Sequence, residues 1–338
     1  MQPQLIGVNF HGYQSSSYQN RSTPHPPENY IEDSFRIFAD SGFTCLRVTL
    51  YWESWELNRD QCLDNLRVIA DSADKHGIKC IYDNHQWECS SWIGNGIGMP
   101  NSVMSRYYER TSAERTPNYN TKKDFWDKWW NRKIKTIDDK DGWEAQLSYF
   151  ADIIKVFNDR KSTFGFEILN EPQVYNILDY KKIGHYHNYA IRELRDSTNK
   201  PLFFNAAISN ITFDNPISQS LVAPNTKENI VYDVHMYPPS SYNLMFFKFA
   251  SALIRNVQIY VGEFNSGFKY QTSVSKDQLL KYLKLFRQSG IYGWALWRWY
   301  YVKDSNIPAF NLTSIANGKL VANTNFFNLT EAISEIYL

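Results

Sequence analysis

Two glutamates near the ends of apolar runs could together split a glycosidic bond. Glu171 lies in Phe166-Glu-Ile-Leu-Asn-Glu-Pro172 and Glu263 in Val261-Gly-Glu-Phe264. A retaining hydrolase needs one carboxylate that attacks a sugar and one carboxylic acid that protonates the departing oxygen, about 5–5.5 Å apart. Arg47, His85, Asn170, His235 and Tyr237 also sit in or at the ends of apolar runs, and Trp297 closes the last. Each has a plainer reading. A glutamate at a strand end can cap a helix, and His85 and His235 can be satisfied core residues. Arg47 can be spent on an ion pair with Glu167, which lies deeper than Glu171. Asp233 and His235 share a strand face and raise a metal site, but no HxH or HExxH accompanies them. His185 and His187, two apart on a helix, point away from each other and read as surface or packing residues.

These residues need elements that bring them to one place. Short β-rich runs, several nearly continuous in Val, Ile, Leu, Phe and Tyr, alternate with amphipathic helical stretches. The runs are Leu5–Phe10, Thr44–Leu50, Lys79–His85, Thr163–Leu169, Pro201–Ala207, Ile230–Tyr237, Gln258–Phe264 and Gly293–Trp299. Helices are predicted over Glu28–Ser41, Asp64–His76, Asp141–Asn158, Asp179–Asp196, Leu244–Asn256, Lys276–Ser289 and Leu329–Tyr337. The helix after the fifth strand is weak, only a turn or two within Asn210–Leu221. Eight β-α units favour a (β/α)8 TIM barrel over a doubly wound sheet, and no glycine-rich phosphate loop follows any strand. In such a barrel the C-terminal strand ends form the active-site rim, where the polar residues above collect. The reading is a single catalytic domain over residues 1–338.

The segment Gln86–Lys140 follows the third strand and fits neither element. It carries Trp87, Trp92, Trp126, Trp129 and Trp130 among many charges. A long loop there lies over the mouth of a barrel. Trp52, Trp55, Trp87 and Trp92 are candidate sugar platforms, since flat rings stack on sugar faces without fixed register. Trp126, Trp129 and Trp130 fit a small satellite core as well as a platform.

The glutamate motifs, with Gly42-Phe-Thr-Cys-Leu-Arg47, Asp83-Asn-His85, His235-Met-Tyr237 and Gly293-Trp-Ala-Leu-Trp297, resemble glycoside hydrolase family 5 of clan A, the cellulase and mannanase family. Six motifs in order on the correct strands are specific where one is not. The resemblance implies a retaining mechanism without metal or organic cofactor, with Glu171 as acid/base and Glu263 as nucleophile. Arg47 and Tyr237 would hold Glu263 ionised. Asn170 would donate to the sugar 2-hydroxyl, and Trp297 would floor the subsite of the reacting sugar.

Bulk properties exclude other classes. A net charge of +1 in 338 residues favours neither nucleic acid nor an anionic membrane. Lys122-Lys123 and Arg132-Lys133 are interleaved with Asp124, Asp127, Asp138 and Asp139, a solvated face. The four cysteines form no CxxC pair; Cys45 and Cys80 lie in strand runs and read as buried thiols, while one disulfide from Cys62 or Cys89 stays open. No run is long enough to span a membrane. Sequons at Asn20, Asn210, Asn311 and Asn328 fit an exported protein, so a secreted monomer is expected, although the first residues are not a leader. The expected substrate is a β-1,4-linked polysaccharide, glucan before mannan. Short oligosaccharides or glycolipid heads are the alternative, and a non-catalytic carbohydrate-binding barrel is a third class.

Overall fold

The computed structural model describes residues 5–12, 29–112, 115–212, 214–237, 241–265, 274–299 and 310–337, with backbone alone for 241–247. The sequon at Asn20 and the predicted helix start at Glu28 lie outside these residues. Eight parallel strands close into a barrel: β1 (Leu5–Phe10), β2 (Cys45–Leu50), β3 (Lys79–Asn84), β4 (Thr163–Glu167), β5 (Leu202–Asn205), β6 (Ile230–Met236), β7 (Gln258–Phe264) and β8 (Gly293–Leu296). Their order around the ring is β1-β8-β7-β6-β5-β4-β3-β2. The predicted strands overrun several of these by a few residues, into segments that still donate to the neighbouring strand, such as His85 N to Leu50 O at 2.7 Å and Ile168 N to Phe203 O at 3.0 Å.

Helices follow the strands: α1 (Tyr30–Ala39), α2 (Trp52–Leu57), α3 (Arg59–His76), α4 (Asn101–Met104), α5 (Tyr119–Trp130), α6 (Gly142–Phe157), α7 (Asp179–Arg195), α8 (Pro216–Ser220), α9 (Ser241–Arg255), α10 (Lys276–Ser289) and α11 (Thr324–Tyr337). Their ends follow local chemistry. The Asn58 side chain accepts from Gln61 N at the start of α3, and Gly77 takes the left-handed conformation that ends it. Asp141 caps α6 in the same way. The weak fifth helix is the five-residue α8. An antiparallel hairpin, Thr313–Ala316 with Lys319–Ala322, was not foreseen; it precedes α11.

The barrel interior is layered. At its floor Leu5, Cys45, Ile81, Phe203, Val231, Tyr260 and Ala295 form one apolar cluster. Alternation then brings Arg47, Asp83, Asn205 and Asp233 inward one step higher. On β7 the alternation breaks. Asp233 pairs with Tyr260 but His235 with Glu263, so β7 carries an extra residue, a bulge at Val261-Gly262. Tyr260 therefore faces the interior while Glu263, three residues on, does too; Val261 and Phe264 face the helices. Gly262 is required here, since a side chain would collide with the Asp233 carboxylate that accepts from Gly262 N at 2.6 Å.

The insertion after β3 packs an apolar half onto the helices of the barrel. Phe125, Trp126, Trp129 and Trp130 of α5 are all buried, packed with Trp143 and with Tyr186 of α7. These tryptophans are therefore buried and no platforms, but they join the main core between barrel and helices and form no separate satellite. All four cysteines are free thiols. Among the described residues no helix is long and apolar enough to cross a membrane.

Candidate active site

Arg47 stands at the centre of the rim, fully buried. Nε and Nη2 each donate to Glu167 at 2.7 Å, Nη1 to Glu263 Oε1 and to Asn9 Oδ1 at 2.8 Å, and Nη2 to Asn170 Oδ1 at 2.7 Å. All five N–H groups are used, which fixes the guanidinium plane. Asp83 and Asp233 also lie 3.1 and 3.6 Å from it. One cation cannot neutralise so many buried carboxylates. Burial pushes Asp83 and Asp233 well above the carboxylate range. Burial would push Glu167 up too, but the guanidinium holds it low. Glu167, Asp233 and His235 each bring a ligand atom within 4.8 Å of the others, yet Arg47 already occupies the cation's place against them.

The two glutamates expected to do chemistry meet above this layer. Glu171, Glu263 and His235 each offer one atom within 4.8 Å of the others. Glu263 is 4% exposed; besides Arg47 it accepts from Tyr237 Oη at 2.8 Å on Oε2. Two donors on its two oxygens fix the plane of the carboxylate. Glu171 is wetter, its side chain 17% exposed, with Oε1 at 2.8 Å from His235 Nδ1. Burial pushes its carboxyl upward, against the opposing pull of His85, Lys248 and Arg47. His235 is pushed down to about 3 by burial, ahead of the opposing field of Glu263. A neutral imidazole therefore lies between the two acids, 3.6 Å from Glu263 Oε2.

The remaining rim residues are held by contacts of their own. His85 Nδ1 is 2.7 Å from Asp83 Oδ2, and burial pushes this imidazole down to about 4. Its ring stacks on Trp297 with centroids 5.5 Å apart and planes 13° from parallel. Asn170 uses Oδ1 on Arg47 and one N–H of Nδ2 on Gln86 O at 2.8 Å, leaving the other N–H for a ligand.

The platforms fare differently. Trp52 and Trp55 are buried at 3% and 8%; Trp52 stacks on Tyr149 at 5.8 Å, and Trp55 packs on the same tyrosine and under Arg59. Neither offers a face to a groove, because α2 turns both against α6. Trp92 is half-buried, its Nε1 donating to Tyr108 O at 2.8 Å. Trp87 alone of the four is open, at 45%.

Four residues near the site escaped the sequence reading. Asn9 bridges Arg47 and the carbonyls of Gly262 and Leu296. His11, buried, meets Trp297 edge-on at 5.6 Å. Both share the inward parity of β1 at the rim end, a signal that could have found them. Lys248 reaches from α9 to His235 O at 3.2 Å, and Gln86 donates to the chain at Glu171; nothing local marks either.

The fold has counterparts among known proteins. An endogalactoceramidase structure superposes with a TM-score of 0.74 at 16% identity, covering 98% of this chain and 80% of that one. Endo-glycoceramidase II from Rhodococcus sp. gives 0.68 at 18% identity, over 96% and 78%. The catalytic domain of a Thermobifida fusca endoglucanase gives 0.63 at 16% identity, over 98% and 92%. At these identities the likeness is one of fold. A glucosylceramidase of Rhizopus delemar is 31% identical over 122 residues, 33% of this chain but only 17% of that protein. The model of the cellulases, glycosyl hydrolase family 5, matches residues 6–303, and the chain belongs to that family of glycoside hydrolases.

Proposed function

We propose that the chain is a retaining β-glycosidase that releases a short sugar head from an apolar, lipid-like leaving group. Glu263 attacks the anomeric carbon while Glu171 protonates the departing oxygen. Glu171, then ionised, takes a proton from the water that hydrolyses the glycosyl–Glu263 ester. The close approach of the two carboxyls, within 4.8 Å, supports retention over inversion, which needs room for a water between them. Arg47 and Tyr237, donating to the two oxygens of Glu263, hold its carboxylate in place for the attack.

The preference for a lipid-like leaving group rests on one observation: the distribution of open apolar side chains. An extended polymer groove needs a ladder of aromatic faces, and Trp52 and Trp55 are spent in the core. On the chain that leaves Glu171, by contrast, Ile177 and Leu178 are 44% and 62% exposed, and Trp87 is 45% exposed beside Gln86. The leaving group departs on the acid/base side, so apolar surface there suits an apolar aglycone. The names of the glycoceramide-cleaving relatives agree with this reading, while the endoglucanase keeps polymer cleavage as the competing one.

The test compares glucosyl- and lactosylceramide in detergent micelles with soluble β-1,4-glucan and mannan. Sugar-head release should exceed polymer cleavage by roughly 10-fold or more in kcat/KM, the worth of one well-filled apolar subsite. Faster shortening of the polymers would return the protein to the endoglucanase reading.

A further inference from the structure

Glu171 stands in an uncommon backbone conformation. Its φ is +45°, in the left-handed region that a residue with a side chain seldom adopts. It also precedes Pro172, and a following proline pushes a residue towards extended conformations instead. Local sequence therefore pulls Glu171 away from the geometry that aims its carboxyl at Glu263. Something outside β4 must hold it.

Gln86 does so. Its side-chain Nε2 donates to Asn170 O at 3.0 Å and to Glu171 O at 2.9 Å. Successive carbonyls of an extended chain point to opposite sides, so two converging on one amide require the turn that the left-handed residue makes. The clasp is reciprocal, since Asn170 Nδ2 donates to Gln86 O at 2.8 Å. Gln86 is itself held, with Oε1 accepting from Cys89 N at 3.2 Å. Gly98 passes so close that any side chain there would collide with the Gln86 Cα and Cβ. The loop is tied down further along, where Glu53 accepts from Ser90 Oγ at 2.8 Å and Ser91 N at 2.7 Å.

We propose that Gln86 is a positioning residue for the acid/base: its amide clamps the Asn170 and Glu171 carbonyls, so that the Glu171 carboxyl is aimed at the departing oxygen. The assignment rests on the reading of Glu171 as acid/base given above. Gln86 touches no reacting atom, so its loss should weaken proton delivery and spare the attack by Glu263.

The experiment uses Gln86→Met in the full chain, which keeps the length and removes the donor. It compares aryl β-glycosides, of whichever sugar the wild-type protein hydrolyses, that carry 2,4-dinitrophenyl or unactivated phenyl leaving groups. For the phenyl glycoside kcat/KM should fall roughly 100-fold, the scale of a small misplacement of a catalytic group. For the dinitrophenyl glycoside, which leaves without a proton, glycosylation should fall less than about 3-fold. Inactivation by a 2-deoxy-2-fluoro dinitrophenyl glycoside, which traps Glu263, should keep its wild-type rate. Gly98→Ala, which pushes on Gln86 from the other side, should reproduce the pattern and covers the case in which Gln86→Met does not fold. Equal losses on both leaving groups would mean a merely structural role and overturn the proposal. Glu171→Ala is the reference: if it shows no leaving-group dependence, the acid/base reading itself has failed. If it shows the dependence and neither Gln86→Met nor Gly98→Ala does, only the role of Gln86 has.

Discussion

The two glutamates differ in what surrounds them, and that difference fits the roles proposed for them. Glu263 is met by a guanidinium and a phenol, both donors, whereas Glu171 faces a neutral imidazole and partial burial. Glu263→Ala should lower kcat on the order of 10^4-fold or more. Azide should restore turnover by entering from the vacated side and giving the α-glycosyl azide, identified by NMR; no rescue, or a β-azide, would reverse the two roles. The pH profile follows from the upward push on Glu171. The acid must be protonated to act, so kcat/KM should hold below its pKa and fall as pH rises through it, at a pH above that of an ordinary glutamate. Glu171→Ala, assayed on a dinitrophenyl glycoside, should lose that basic limb. His235, pushed down to about 3, stays neutral across the window and contributes no limb there.

At the scale of elements, the strand ends carry the residues proposed for chemistry and the loops hold them. The loop after β3 is fastened to α2 through Glu53, whose carboxyl burial pushes up to about 7 despite the opposing hydrogen bonds of Ser91 and Ser90. A folded pKa above the unfolded one means the native state holds the extra proton. Stability from this group is therefore complete below about pH 4.5 and is lost as pH rises through about 7. The full shift is worth on the order of 3 kcal/mol. Glu53→Gln should remove this group's contribution, so that urea midpoints of the variant decline less than wild type between pH 5 and 8. Parallel pH curves for the two proteins would show that Glu53 does not titrate in that window.

For the whole molecule, the insertion divides into a half buried against the barrel helices and a more open half that begins at Gln86, beside Glu171. Trp126 is fully buried and stacks on Trp130 with centroids 5.1 Å apart. Trp126→Ala should cost roughly 3–5 kcal/mol of stability. Well below its melting temperature its kcat/KM should stay within about 3-fold of wild type, since Trp126 meets no substrate. Trp87→Ala should do the opposite, with Tm changed by less than a few degrees, roughly, because the ring is largely solvated, and activity on the preferred substrate reduced. Calorimetry and kinetics on the same two variants check both. A stability loss without an activity loss in Trp87→Ala would remove that residue from the substrate path.

The eight strands and the rim location of Glu171, Glu263, Arg47, His85, Asn170, His235, Tyr237 and Trp297 were legible in the sequence alone. Apolar runs of strand length reveal backbone state, their alternation with helices reveals a parallel barrel, and a barrel sends strand ends to one rim. Tertiary structure decided the rest. Simple alternation from Tyr260 turns Glu263 outward; the Gly262 bulge, made possible by where Asp233 lies on the next strand, turns it in. Trp52 and Trp55 read as platforms because a tryptophan's type does not say what covers it, and Tyr149, which does, is almost a hundred residues away. Gln86 and Lys248 carry no local mark because their partners, the carbonyls of Glu171 and His235, are backbone atoms on other segments of the chain. Periodicity records how each segment folds on itself, whereas burial, re-aimed side chains and long-range clasps depend on which segments meet.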